Sequence, residues 1–304
     1  MLTKLKQHFS HPDVHFSQRD QLIMIEIRNR HGSAMLTTHG ATLLSYQPAN
    51  GQELIWVSET AIYDGSKPVR GGVPVCWPWF GPYDAAQLGE DPSDAHKKGH
   101  GVARYEQWQL AEVNSLEDAT QVVLRLEPND SIRQAWPLPF RLSLHVTLGE
   151  ALTMELVGEN LSDRDWLLSE ALHTYFNVAE ADDLVIRGLE GCQYIDKGRG
   201  SERGTQSQPL HLTLPMERVY VDHAGEVVLE DQGNQRQIVM QASNSATVVV
   251  WNPGEEGASG FADMPDDQYT HMVCVEAANA LDNSYILKAG ESHRMRMMLS
   301  QRNS

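Results

Sequence analysis

Cysteine is scarce in this chain of 304 residues: Cys76, Cys192 and Cys274 are the only three, far apart and odd in number. That argues against a disulfide framework and favours a reducing compartment. Positive charge is also in short supply, with 24 Lys and Arg against 41 Asp and Glu and a formal net charge of -17. Most of the surface should therefore repel nucleic acid and anionic membrane, and an anionic ligand would need a local basic pocket. No apolar run reaches membrane-spanning length, and the opening MLTKLKQHFSHPDVHF lacks the uninterrupted apolar stretch of a signal peptide. The expectation is a cytoplasmic protein with neither nucleic acid nor membrane as partner. Several chemical signatures are missing as well: HExxH, P-loop, nucleophile elbow and GxGxxG. His96 and His100 have i,i+4 spacing, but Lys97, Lys98 and Gly99 between them disfavour a helix, and no metal site is expected.

Long amphipathic helices are absent too. What the chain has instead is short alternating or apolar runs bounded by Gly, Asn or Pro: LIMIEIR (22–28), AMLTT (34–38), ATLLSYQP (41–48) and ELIWVS. Such runs read as strands of a meander. Strands resume with QWQLAEV, QVVLRLEP and the pair FRLSLHVTLG and ALTMELVGEN, joined at Gly149 and Glu150 in a hairpin. Then come WLLSEALHTYFNV, DLVIRGL, EVVLED, RQIVMQA, ATVVVWNP, HMVCVEAA and HRMRMML. Residues 83–98 read as a surface loop without periodicity, and 198–209 as another loop. No linker or break in composition interrupts the pattern. The chain is expected to be one all-β domain over 1–304, of two large packed antiparallel sheets, with 1–20 as an N-terminal arm.

Four clusters bear chemistry. In VRGGVPVCWPWFGP (69–82), Gly71 and Gly72 let backbone pass close to something, Arg70 offers a planar fork of donors, and Trp77, Trp79 and Phe80 offer flat apolar faces. That composition suits a wall around a small, partly anionic ligand, or a rigid loop plugging the end of a sandwich. In HGVAR, His100 precedes Arg104, a second fork for phosphate or carboxylate or else a surface arginine beside a turn. In EALHTYF, alternation puts Leu172 and Thr174 on one face and Ala171, His173 and Tyr175 on the other. His173 is then either a hydrogen-bonded core residue or a catalyst, and the same choice applies to Glu170. In MVCVEAAN, Glu276 ends an apolar strand, where a carboxylate needs partners or must stay neutral. A structural ion pair or a general base with raised pKa satisfies that condition.

Taken in order, RGGVPVCWPWFGP, HGVAR, SEALHTYFNV, ERVY, VVVWNPG and VCVEAA resemble the aldose 1-epimerase superfamily, and within it the hexose-6-phosphate mutarotases, over about residues 22–299. The resemblance implies a β-supersandwich of the galactose mutarotase type with an open sugar cleft and no cofactor or metal. It implies that His173 is the general acid and Glu276 the general base. Arg70 and Arg104 match arginines that bind the substrate, and His100 a histidine of the sugar pocket. Glu217 of ERVY stands where members commonly carry an aspartate that contacts the sugar; Asp222, a few residues on, is the lesser candidate. The implied reaction interconverts the α and β anomers of a hexose 6-phosphate, glucose 6-phosphate foremost. Ionised Glu276 would take the O1 proton while protonated His173 donates to ring oxygen O5. Trp77 or Trp79 would pack in the core or stack on the sugar. The expected partner is that small molecule alone, for a monomer or weak homodimer. Three rivals stand beside it: a non-catalytic carbohydrate-binding sandwich, a mutarotase of unphosphorylated aldoses in which the arginines form structural ion pairs, and a glycoside hydrolase domain, which needs two suitably spaced carboxylates.

Overall fold

Along the strand Met272–Asn279, Val273, Val275 and Ala277 face a large apolar core, while Cys274, Glu276 and Ala278 face the other way. That alternation repeats on its neighbours and sets the architecture. The computed structural model describes residues 2–83 and 98–303; of the surface loop expected at 83–98, residues 84–97 lie outside the described residues. Met272–Asn279 is central in an eight-stranded sheet. From one edge the order is Glu202–Thr205, Gln193–Asp196, Met216–Val221, Thr247–Asn252, Met272–Asn279, Glu170–Leu172 and Val75–Cys76, with Tyr175–Asn177 also pairing to Met272–Asn279. A nine-stranded sheet packs on it, ordered Leu210–His211, Val185–Arg187, Glu226–Asp231, Arg236–Ser243, Ser292–Asn303, Leu152–Asn160, Phe140–Leu148, Ala119–Leu126 and Gln109–Leu116.

Between the sheets, Val248, Val250, Val273 and Val275 meet Leu144, Leu156, Met295 and Met297. Burying each such side chain stabilises the fold by about 1.5–3 kcal/mol. The Thr174 hydroxyl donates across the interface to Met297 Sδ at 3.4 Å. A four-stranded antiparallel sheet, Val14–Arg19, Leu22–Asn29, Gly32–Thr37 and Leu43–Pro48, adds Ile25, Ile27, Leu36 and Tyr46 to the same core. The fold is thus the all-β arrangement of large antiparallel sheets read from the sequence. Among the described residues the α-helices are short, Leu2–His8, Asp130–Ala135 and Gly254–Ser259, and none is long and apolar enough to cross a membrane.

Several local expectations change. In the stretch expected to be an arm, Val14–Arg19 is a strand pairing with Leu22–Asn29. ELIWVS makes only isolated bridges, Ile55 with Phe176 and Val57 with Gly71. The Glu53 carboxylate accepts from the backbone N–H of Tyr46 and Ile55 at 2.8 and 2.9 Å, taking donors that a regular ladder would use. The loop expected at 198–209 contains the edge strand Glu202–Thr205. WLLSEALHTYFNV breaks into Trp166–Leu168, Glu170–Leu172 and Tyr175–Asn177, the first leaving the large sheet to pair with Tyr285–Leu287.

The stiff segment 69–82 forms a wall of the cleft and ties it to the core. Gly71 and Gly72 have φ of +108° and +76°, and a Cβ would lie 2.5 Å from the Trp56 carbonyl oxygen or 2.4 Å from that of Leu43. Only glycine fits there. Trp77 and Trp79 are fully buried, their rings 4.5 Å from Phe140 and 6.0 Å from Trp136 respectively, centroid to centroid. Their rings therefore belong to the core, and neither is available to stack on a sugar. Gly101, at φ +79°, sits where a Cβ would meet the Trp77 carbonyl oxygen at 2.0 Å, so HGVAR is pressed directly against this wall.

Candidate active site

The outer face of the eight-stranded sheet, the one turned away from the core, floors a cavity of about 420 Å³. The six residues that the resemblance assigns to the site line it: Arg70, His100, Arg104, His173, Glu217 and Glu276. They come from separate parts of the chain: Glu217 and Glu276 lie on strands of the sheet and His173 just beyond one, while Arg70 comes from the segment before Val75–Cys76 and His100 and Arg104 from the turns around Ala103–Tyr105. Alternation had already assigned His173 and Tyr175 to a common face opposite Leu172 and Thr174, and they occupy it.

His173 and Glu276 are the closest acid and base. Nε2 of the imidazole lies 3.5 Å from Oε1 of the carboxyl, and the side chains are 10% and 1% exposed. The imidazole stacks on Tyr175, with ring centres 5.0 Å apart and planes 15° from parallel. His173 Nδ1 and Glu276 Oε2 are buried without hydrogen-bond partners. Each such atom costs about 1–3 kcal/mol if it stays unpaired, so a ligand that supplies partners gains accordingly. Glu170, the other candidate of that segment, faces away and pairs with His293 at 3.0 Å.

Burial dominates the electrostatics. It drives the His173 imidazole well below its ordinary 6.5, with neighbouring His100, Arg104 and Arg70 adding to the fall. It pushes the Glu276 carboxyl well above the carboxylate range; Arg104 pulls the other way and Glu217 adds to the rise. The 3.5 Å contact would reward an ion pair, but one long contact does not offset the desolvation of two buried charges. Both shifts favour the uncharged form of each group, a neutral imidazole beside a protonated carboxyl. The cause of both shifts is the exclusion of water from the two groups.

The cations surround this pair. Arg104 lies on the short turn Ala103–Tyr105 beside the buried Cys76 thiol, which burial pushes up to about 12 against the pull of Arg104, and has its Nε buried without a partner. His100, with φ +63°, accepts the Gly81 N–H on Nδ1 at 3.3 Å, so its neutral ring carries the hydrogen on Nε2. Burial, then Arg104, pushes its pKa down to about 4. Arg70 lies over the Phe261 ring at 4.2 Å and donates from Nε to Asp263 at 3.1 Å. Glu217, paired across strands with Trp251, faces the cavity from the adjoining strand. Asp222 does not line the cavity; it is engaged with Asn283 through its backbone N–H at 3.1 Å and its carboxylate at 2.8 Å.

Sequence reasoning missed Trp251, Phe261, Lys197 and the supporting Asp263. Trp251 was findable, because alternation in VVVWNP sets it beside Val249 on the cleft face. Lys197, Phe261 and Asp263 come from turns and loops outside the regular strands, where no periodicity marks them. Among the described residues no cluster of three or more His, Cys, Asp or Glu is arranged to hold a metal ion.

The aldose 1-epimerase family model matches residues 24–300. The chain belongs to the aldose 1-epimerase family. A protein of Escherichia coli K12 named "Putative glucose-6-phosphate 1-epimerase" is 33% identical over 276 residues, spanning 90% of this chain and 89% of that one. A protein of Cenchrus ciliaris with the same name is 30% identical over 282 residues, spanning 89% and 82%. The crystal structure of a "putative mutarotase (YeaD)" from Salmonella typhimurium aligns with a TM-score of 0.86 at 29% identity, covering 97% of this chain and 95% of that one. A galactose mutarotase-like protein from Lactobacillus casei shares the fold, with a TM-score of 0.71 at 17% identity over 92% of this chain and all of that one. Within the aldose 1-epimerase family, then, this chain places His173 beside Glu276 on the outer face of its eight-stranded sheet.

Proposed function

We propose that the protein interconverts the α and β anomers of a hexose 6-phosphate, glucose 6-phosphate foremost, by opening and reclosing the sugar ring. The observation that carries this reading is the His173 and Glu276 pair, 3.5 Å apart on the floor of a cavity that also holds two arginines in a strongly acidic protein. The names of the E. coli and Cenchrus relatives support the phosphorylated substrate. At about 420 Å³ the cavity is of the size used for small ligands.

Ring opening removes the proton from O1 and delivers one to O5 as the C1–O5 bond breaks. Rotation about C1–C2 and closure on the other face then reverse both transfers. The pair takes up one proton and gives up one, so it holds a single proton before and after the event. Sugar hydroxyls replace water as partners for His173 and Glu276. With them in place the proton moves from Glu276 to His173, leaving a carboxylate to act on O1 and an imidazolium to act on O5. General acid and general base each contribute about 10²–10⁴-fold. No cofactor is needed, because side chains serve both transfers. Arg70 and Arg104 grip the phosphate, and this remote binding energy retains the open-chain aldehyde.

The test is the anomerisation of freshly dissolved α-glucose 6-phosphate followed by NMR or polarimetry. Catalysis accelerates the approach to equilibrium, whereas a sugar-binding protein leaves its rate unchanged. A second reading, a mutarotase of unphosphorylated aldoses, is favoured by the contact of Arg70 with Asp263. Comparing kcat/KM for glucose and glucose 6-phosphate decides between them. We place the protein in the cytoplasm as a monomer or weak homodimer, which fractionation and light scattering test.

A further inference from the structure

Arg70 enters the cavity with one nitrogen already engaged. Its Nε donates to Asp263 Oδ1 at 3.1 Å, and Lys67 Nζ lies 3.0 Å from Oδ2 of the same carboxylate. Asp263 is 3% exposed at its side chain and belongs to neither large sheet; it lies on the segment that follows the helix Gly254–Ser259. Neither Asp263 nor Lys67 lines the cavity.

Two consequences follow from that geometry. Because Asp263 holds Arg70 by Nε, the outer two nitrogens of the guanidinium form a planar fork for an anion, with the Tyr175 hydroxyl as a further neighbour. The ring of Phe261, 4.2 Å from the guanidinium carbon, fixes its plane. Because Lys67 shares the carboxylate, the Asp263 charge is divided between two cations instead of cancelling Arg70 alone, while exposed Asp64 also lies near Lys67. An isolated Arg and Asp pair would be neutral and a poor receptor for a phosphate. Burial opposes ionisation of Asp263, but hydrogen bonds and charge from Lys67 and Arg70 outweigh it and lower its pKa, so it is a carboxylate at neutral pH.

We propose that Asp263 is a positioning residue that aims the outer nitrogens of Arg70 at the substrate's phosphate, and that Lys67 offsets the Asp263 charge so that it does not cancel that of Arg70. The proposal rests on the hexose 6-phosphate reading. It makes phosphate selectivity depend on two residues that never touch the sugar.

The experiment measures steady-state anomerisation of glucose 6-phosphate and glucose by the wild type, D263A, D263E and K67M, with inorganic phosphate as competing anion. D263A should raise KM for glucose 6-phosphate about tenfold, the loss of one hydrogen bond to a charged group, with kcat within about twofold. D263E should restore part of it. K67M should raise the same KM and weaken inhibition by inorganic phosphate severalfold, while the glucose parameters stay put in all variants. Equal losses on both sugars, or a fall in kcat alone, would assign Asp263 a structural role and overturn the proposal. Lys67 is 38% exposed at its side chain, so K67M decides the matter if D263A does not fold: unchanged KM and unchanged phosphate inhibition overturn the idea. If the wild type leaves glucose 6-phosphate untouched, the parent reading fails instead. Calorimetric binding of inorganic phosphate to wild type and K67M then still tests the corner, with equal affinities counting against it.

Discussion

Nε2 of His173 faces Oε1 of Glu276 at 3.5 Å, and on each residue the remaining polar atom, Nδ1 or Oε2, is buried with no hydrogen-bond partner. Two ionisable groups so placed act as one proton store. Burial favours the neutral arrangement, and on the proposed mechanism a bound sugar that donates and accepts in place of water shifts the balance towards the charged one. Catalysis then needs little rearrangement of protein groups, because the acceptor and donor already lie on one floor.

Replacing either member removes the store. H173A or E276Q should lower kcat for anomerisation by about 10²–10⁴-fold each, and the double variant should lose little more than the worse single, since the groups act together. Far-ultraviolet circular dichroism should remain that of the wild type. Retained turnover in both single variants would remove these residues from the mechanism.

The pH profile carries the sign of the shifts. His173 is depressed, so a second proton enters the pair only well below the ordinary 6.5, and the acid limb of kcat/KM should lie below that value. Glu276 is raised, so the pair keeps its one proton to a pH well above the ordinary 4.5, and the alkaline limb moves upward from there. Both limbs belong to the coupled pair rather than to one residue. An acid limb above 6.5 would show that an imidazolium already present in the free enzyme is required.

Arg104 acts on the same pair from a distance, its charge opposing protonation of His173 and favouring ionisation of Glu276. R104A should raise KM for glucose 6-phosphate roughly tenfold and move the acid limb to higher pH, because the neutral side chain no longer repels the second proton. R104K should leave the limb in place while recovering only part of KM, since lysine keeps the charge and loses the fork. Steady-state kinetics across the pH range separates the two effects.

How much of this was legible in the sequence follows from what is local and what is not. The faces of EALHTYF and MVCVEAAN were readable, because strand alternation is a property of neighbouring residues: His173 and Tyr175 share the cleft, Leu172 and Val275 the core. The fate of Trp77 and Trp79 was not, since it depends on Phe140 and Trp136, which arrive from a different sheet and a distant helix end. Neither were the opposite shifts of His173 and Glu276, which depend on how completely the surrounding elements exclude water. Asp263 left no trace at all, being one acidic residue among several in an irregular segment.

A second buried pair ties the sheets together and gives stability its own pH dependence. Glu170, fully buried on the eight-stranded sheet, meets His293 of the opposite sheet at 3.0 Å and accepts from Asn279 at 3.1 Å. Burial alone would lower the His293 pKa, but the hydrogen bond and charge of Glu170 outweigh it and raise it. Its contribution is therefore complete below the unfolded value near 6.5 and is lost as pH rises through the raised folded value. H293L should destabilise the protein by on the order of 3 kcal/mol at about pH 6, because Glu170 stays buried without its cation. The difference from wild type should shrink at about pH 9 in urea unfolding. An equal difference at both values would show that His293 contributes packing rather than charge.

Glu217 is the second carboxylate lining the cavity beside Glu276, and its position makes the consequence of replacing it calculable in sign. It lines the cavity from the strand Met216–Val221, opposite Trp251 across the ladder, and its charge is one of the influences that raise the Glu276 pKa. E217Q keeps the length and removes the charge. Glu276 then ionises more readily, so the alkaline limb of kcat/KM should move to lower pH, while KM rises if the carboxylate also holds a sugar hydroxyl. E217D keeps the charge but withdraws it by one methylene, so the limb should stay while KM changes alone. A shift of the limb in E217D and none in E217Q would mean that Glu217 acts through shape, and the electrostatic coupling between the two glutamates would have to be abandoned.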